Sequence, residues 1–168
     1  MTATNIESDG RHDFDFVFGR RRLRIRKLAD VMDRTCTEWV ELDAISEIRP
    51  ILGGLGNFDT IVSVGLPEAD YFESAALRLF DPTTGFWRIW FFTSRQPGVM
   101  DDSPVEGRFV DGRGQFFADE VIGGSPVRLR VEWFALESGE TCFQQAFSYD
   151  GGVTWEVNWI ATGTLEDA

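Results

Sequence analysis

The chain has 168 residues, among them 15 Phe and 6 Trp, and it carries a net charge of −12. This length predicts a single domain with its own core. The acidic charge disfavours nucleic acid and anionic membranes as partners. No apolar run approaches the roughly 20 residues that a membrane-spanning helix needs, so no membrane partner is expected.

The N-terminal stretch, residues 1–10, is polar and is predicted to be disordered. It contains no apolar segment typical of an export signal, which predicts a cytoplasmic protein. In that compartment we expect Cys36 and Cys142 to remain free thiols.

A short helix is predicted at residues 13–18, where Asp13 can cap the first turn and Gly19 ends the helix. This helix would place its large apolar side chains on one side: Phe14, Val17 and Phe18.

The stretch RRRLRIRK that follows, residues 20–27, is basic at six of its eight positions. Its alternation predicts a strand with Leu23 and Ile25 on the buried face. An anion or nucleic-acid site is one interpretation of the charges. A solvated strand face paired with an acidic strand is favoured, because the chain is acidic overall and no helix is available for a major groove. The acidic residues proposed for that pairing are Glu41, Asp43 and Glu47.

From Thr37 onward the chain predicts strand after strand, nine or ten in all, separated by short Gly and Asp turns. Strands joined by tight turns are antiparallel neighbours, and closure into a barrel removes the exposed edges. We therefore predict an all-β fold, a single antiparallel up-and-down β-barrel over residues 11–165, closed at one end by the N-terminal helix.

Four stretches carry a resemblance to a known family: HDFDFVFGRRRLR, ILGGLGN, LRLFDPTTGFW and FSYDGGVTWEVNWI. They resemble an uncharacterised bacterial lipocalin-like family of the calycin superfamily, over roughly residues 11–164. The resemblance implies a barrel of calycin type and no established activity. Gly19-Arg20-Arg21 stands where lipocalin-like openings usually carry Gly-x-Trp.

The stretch SYDGGVTW matches the Asp box, a hairpin motif of sialidases and related propeller glycosidases. A propeller needs several blades and therefore repeated boxes, whereas this chain has one box. The motif is interpreted as a structural turn in which Asp150 and Gly152 build the corner and Trp155 points into the barrel.

Few residues offer catalytic or metal chemistry. His12 is the only histidine, and the two cysteines lack metal-ligand spacing, so no metal site and no cofactor are expected. His12 is the only imidazole base available to a nucleophile, and it is interpreted as a surface or capping residue. The catalytic residues, if any, stay unknown from the sequence.

The barrel interior is the strongest candidate site. Period-2 alternation places aromatic side chains inside, with Gln145 as a polar group on an apolar wall. The predicted ligand-binding residues are Trp87, Phe91, Thr93, Trp133, Gln145, Trp155 and Trp159.

The strand FWRIWFFT is apolar on both faces, and its second face carries Phe86, Trp90 and Phe92. An uncovered aromatic patch of this kind typically marks an interface, which predicts a homodimer. The alternative is that the loop at residues 95–104 folds back over the patch.

The sequence thus predicts a protein that binds a small, largely hydrophobic molecule inside its barrel. The alternative is a cofactor-independent enzyme (an isomerase, cyclase or lyase) acting on a small apolar substrate in the same cavity. A dimeric structural module with a filled core is the third hypothesis.

Overall fold

The computed structural model describes residues 9–100 and 102–166, and it shows a closed barrel of ten antiparallel strands. The strands follow one another around the barrel in chain order, and β1 closes against β10, which confirms the predicted up-and-down barrel. Most of the stretch predicted to be disordered, residues 1–8, lies outside the described residues. The strands are β1 (Gly19–Leu28), β2 (Trp39–Ile51), β3 (Gly56–Val64), β4 (Glu73–Asp81), β5 (Phe86–Thr93), β6 (Val105–Val110), β7 (Arg113–Ile122), β8 (Ser125–Ala135), β9 (Thr141–Ser148) and β10 (Glu156–Leu165).

The predicted N-terminal helix at residues 13–18 is wrong as a helix assignment. Only a short 3-10 turn forms, at Asp15–Val17, with the Val17 amide bonded to the Phe14 carbonyl at 3.0 Å. So short a segment gains too few hydrogen bonds to offset helix nucleation. The turn still buries Phe14 and Val17, 0% and 2% exposed, in the end of the barrel.

Two further 3-10 turns lie at Leu52–Gly54 and Glu68–Asp70. In the described part of the chain, no helix has both the length and the apolar character to cross a membrane.

The basic strand β1 lies against the acidic strand β2, as the sequence predicts. Arg20 is directly opposite Glu47, Arg24 is opposite Asp43, and Arg26 is opposite Glu41. Such cross-strand pairs of opposite charge stabilise a solvent-facing sheet. Strand pairing therefore accounts for the charges at Arg20, Arg24 and Arg26.

Strand β6 is short, so it pairs with only part of β5. Only three residue pairs join β5 to β6, from Trp87 opposite Gly107 to Ile89 opposite Val105. The last part of β5, from Trp90 to Thr93, has no partner on β6. At that end of the barrel, residues 94–104 connect the two strands.

Candidate functional site

The two ends of the barrel differ in how they are closed. At the closed end, the N-terminal segment lies across the opening, and the connections there are short. At the open end, longer segments join the strands: residues 29–38, 65–72, 94–104 and 149–155. A molecule that reaches the interior is therefore expected to enter between the loops of the open end.

An aromatic cluster fills the closed half of the interior. Phe14 lies at its centre, with its ring centroid 4.9 Å from that of Trp87 and 5.7 Å from that of Trp133. Phe109 and Phe116 pack against the same ring at 4.9 and 5.8 Å. Edge and offset contacts of this kind are the favoured geometries of aromatic pairs, so this half is packed solid.

Beside this cluster the barrel contains a buried ionic network. Arg78, 1% exposed, donates from Nη1 to Asn57 Oδ1 at 2.8 Å and from Nη2 to Asp59 Oδ2 at 3.1 Å. Ser46 donates to the other Asp59 oxygen at 2.8 Å. The Arg78 guanidinium also lies 4.9 Å from the centroid of the Trp133 ring. A buried charge requires such pairing.

Burial raises the pKa of the Asp59 carboxyl, while the charge of Arg78 and the hydrogen bond from Ser46 oppose that shift. The Arg78 guanidinium remains the counter-charge, since arginine is not deprotonated in proteins.

The open half is lined differently. Several side chains point inward yet remain half-buried, although the barrel around them is closed. Partial exposure inside a closed wall means that solvent-accessible space remains there. These residues are called the interior wall: Leu42, Ile61, Phe91, Phe143, Gln145 and Trp159.

The structure places the predicted site residues in four locations: the interior wall, the aromatic cluster, the rim of the open end and the outer surface. Phe91, Gln145 and Trp159 belong to the interior wall. Trp87 and Trp133 point inward but are 1% and 6% exposed within the aromatic cluster. Gln145 Nε2 donates to Asn158 Oδ1 at 3.0 Å, so the polar group on this wall is a pair of amides.

Thr93 lies on the inner face near the rim, where it is directly opposite Ser74 of β4. It lines a groove of about 490 Å³ together with residues 96–100. A second cleft of about 220 Å³ lies between the 29–38 and 149–155 segments, and Phe147 and Asn158 line it. Both openings lie at the open end and are lined in part by inward-facing residues.

The predicted inward orientation of Trp155 is wrong. Its ring lies 6.0 Å from that of Phe117, and the guanidinium of Arg130 lies 4.4 Å from the centroid of its ring. Phe117 and Arg130 alternate with the buried Phe116 and Val131, so they face outward.

A β-bulge in β10 explains the difference. The register shifts between Val157, opposite Ala146, and Trp159, opposite Gln145. An extra residue, Asn158, reverses the alternation, so Trp159 points inward while Trp155 lies outside.

Three basic residues of the interior were missed by the sequence reasoning. Arg78 shares a strand face with Ala76, whereas Arg21 and Lys27 share the inner face of β1 with Ile25. Strand alternation places all three side chains on inward faces. Their residue types are usually exposed, so they drew no attention as interior groups.

Metal and nucleophile chemistry has little support in the described residues. Over 9–100 and 102–166, no group of three His, Cys, Asp or Glu side chains has the geometry to hold a metal ion. His12 is exposed and its Nδ1 lies 2.9 Å from Asp15 Oδ2. Cys36 and Cys142 are both free thiols, as predicted.

Comparison with known protein families and with curated proteins finds no match to this chain. The resemblance to lipocalin-like proteins therefore stays a prediction. What the barrel does has to be argued from its own geometry.

Proposed function

We propose that this protein binds a small, largely hydrophobic molecule in the open half of its barrel. The observation that carries the proposal is the interior wall, whose side chains face inward in a closed barrel and yet remain half-buried. When a ligand covers apolar surface left accessible in this way, the free energy of binding becomes more favourable by about 25 cal/mol per Å². The buried aromatic cluster supports the proposal by giving that space a rigid floor.

The wall offers both apolar contact and orientation. Phe91 and Phe143 both pack against the aromatic cluster, and Trp159 extends the apolar surface to β10. The amides of Gln145 and Asn158 supply the polar groups of an otherwise apolar site. Such a combination suits a ligand with one or two polar atoms. In this proposal Trp87 supports the floor rather than contacting the ligand.

The test is saturable binding of N-phenyl-naphthylamine, an uncharged dye that brightens in apolar surroundings. Leu42→Trp fills the interior space and should weaken dye binding by at least about tenfold. Ile160→Trp, a matched change on the outer face of β10, should leave affinity within about twofold. If wild type shows no saturable binding, or if Leu42→Trp binds as tightly as wild type, the interior is not a binding site.

The enzyme alternative uses the same space and stays a hypothesis. If the barrel is a catalyst, Gln145→Ala abolishes turnover of a bound molecule while the fold and the ligand affinity persist. Native mass spectrometry of the purified protein would supply candidate molecules for that assay. A simple binding protein would release the molecule unchanged.

We also propose a homodimer through the outer faces of β4 and β5. Leu77, opposite Trp90 of β5 and Phe58 of β3, lies in the middle of a half-buried apolar surface. The one charged side chain among the outward positions of β5, Arg88, pairs with Glu106 at 2.6 Å. Because each copy carries a net charge of −12, two copies approach best through the uncharged middle of this face, around Leu77 and Trp90.

The loop alternative accounts for only part of this surface. Residues 96–100 lie near Phe92 and line the groove with it, but Val99 and Met100 are themselves 56% and 54% exposed. A second copy is therefore the occupant that we favour for the rest of the face. The cytoplasmic location remains a separate prediction.

A further inference from the structure

Lys27 is the only lysine in a chain whose other strongly basic side chains are all arginines. It is also the one basic residue of the RRRLRIRK stretch on the inner face at the open end. In β1 the outward positions carry Arg22, Arg24 and Arg26, which are exposed. Lys27 is therefore set apart from the solvated arginines both by residue type and by position.

The register defines where its side chain points. Lys27 lies directly opposite Val40 of β2 and Trp159 of β10, and it shares its face with the buried Ile25. Its Nζ lies 5.3 Å from the centroid of the Trp159 ring and donates to the Leu28 carbonyl at 3.2 Å. The ammonium group thus lies at the edge of the interior wall.

The charge of Lys27 is poorly compensated there. In the described part of the chain, no carboxylate forms an ion pair with Lys27 or with Arg95, whose Nη2 donates to the Asp70 carbonyl. Burial lowers the pKa of the Lys27 ammonium, and the positive charge of Arg95 lowers it further; Asp30 and Cys36 oppose these effects. Two cations therefore act on the same opening, and neither of them forms an ion pair within the described residues.

We propose that Lys27, assisted by Arg95, binds the carboxylate of an apolar acid whose hydrocarbon part lies along Trp159 and Phe143. An anion beside Lys27 replaces the solvation that the half-buried ammonium has lost and separates two like charges. A carboxylate matches this site better than a phosphate, because a second negative charge would enter an opening in a strongly acidic protein. This inference rests on the proposed function and names the class of ligand.

The experiment compares dodecanoate with dodecanol, which has the same chain length and no charge, by displacement of N-phenyl-naphthylamine. Lys27→Met should lower the ratio of acid affinity to alcohol affinity by about tenfold and leave alcohol affinity within about twofold. Lys27→Arg, which keeps the positive charge, should retain most of the preference for the acid over the alcohol. Arg24→Met is the matched control, since it removes a cation from the outer face of the same strand.

A second readout uses the uniqueness of this amine. Apart from the N-terminus, Lys27 is the only amine that an acylating reagent can modify, and peptide mass spectrometry separates the two. Dodecanoate should slow acylation of Lys27 by about tenfold, whereas dodecanol at equal occupancy should slow it much less.

The outcomes separate this inference from the proposed function. If dye, acid and alcohol all fail to bind, the proposed function falls and this inference falls with it. If acid and alcohol bind but their ratio is unchanged in Lys27→Met, the barrel binds apolar molecules and the role of Lys27 is overturned. Equal protection of Lys27 by acid and alcohol would contradict the inference in the same way.

Discussion

Arg78 is the residue whose burial is hardest to foresee from its type. Its guanidinium lies between two aromatic rings, 5.1 Å from the centroid of Phe14 and 4.9 Å from that of Trp133. Its Nε and the Nδ2 of Asn57 have no hydrogen-bond acceptor among the described residues. The network therefore includes unpaired polar groups, and its integrity depends on the ion pair with Asp59.

Removing one partner of this pair should destabilise the barrel strongly. We expect Arg78→Met to lower the free energy of unfolding by about 3–5 kcal/mol, because Asp59 is left buried without its counter-charge. Adding Asp59→Asn should recover at least about 1 kcal/mol of that loss. Urea unfolding followed by tryptophan fluorescence measures both changes.

The control for this prediction is a surface ion pair. Arg22 lies 3.4 Å from Asp43, and both side chains are exposed. Arg22→Met should lower the free energy of unfolding by no more than about 1 kcal/mol. If Arg22→Met and Arg78→Met lower the free energy of unfolding equally, the buried pair has no special role in stability.

The β9–β10 hairpin shows how one short motif organises an element. Asp150 accepts hydrogen bonds from Ser148 Oγ at 2.8 Å and from the Thr154 amide at 2.9 Å, and Thr154 Oγ1 donates to it at 2.6 Å. Gly152 adopts φ +96°, which a side chain rarely permits. Asp150 and Gly152 thus form the corner of this hairpin, at the position that the sequence predicts.

The same hydrogen bonds predict a pH dependence. They hold the pKa of Asp150 well below its ordinary value of 3.8, with those from Thr154 contributing most. A carboxyl whose pKa is lower in the folded state stabilises the fold above the unfolded value and loses that contribution as pH falls. We expect the stability advantage of wild type over Asp150→Asn to be complete above about pH 5 and to shrink steadily below that.

Urea midpoints measured across this acidic range would check the prediction. Asp119→Asn serves as the control, since it removes an exposed carboxylate that makes no hydrogen bond within the described residues. An advantage over Asp150→Asn that does not change with pH would contradict the assigned role of the carboxylate.

On the scale of the whole molecule, polar and apolar surfaces are separated around the barrel. The outer face of β1 carries arginines opposite the acids of β2, whereas the outer faces of β4 and β5 carry Leu77, Trp90 and Phe92. Along the barrel axis, the interior is divided into a packed closed half and an accessible open half. The proposed ligand site and the proposed dimer face therefore occupy different surfaces of the same wall.

The dimer proposal predicts that a charge in the apolar face produces a monomer. Trp90→Glu should dissociate the dimer at about micromolar concentration in analytical ultracentrifugation, because the carboxylate would be buried without a partner. Ile160→Glu, on the outer face of β10, should leave the assembly unchanged. Thermal unfolding of both variants checks that the barrel still forms, and a monomeric wild type would refute the proposal.

Much of the fold could be predicted because it depends on local pattern. Alternating residues, Gly and Asp turns and short spacings determine strands, antiparallel neighbours and hence a closed barrel. They also place the side chains of β5 and β8, such as Phe91 and Trp133, on the inner face. The opposition of Arg24 and Asp43 follows in the same way from charge and adjacency.

Only the tertiary structure shows where the alternation is interrupted and which residues of distant strands each buried side chain contacts. The bulge at Asn158 arises from one extra residue in β10, and it moved Trp155 from the predicted interior to the outer surface. The burial of Arg78 and the position of Lys27 beside Trp159 depend on residues distant in the chain. Alternation assigns a side chain to a face, whereas its partners are set by closure and register, which bring distant strands together.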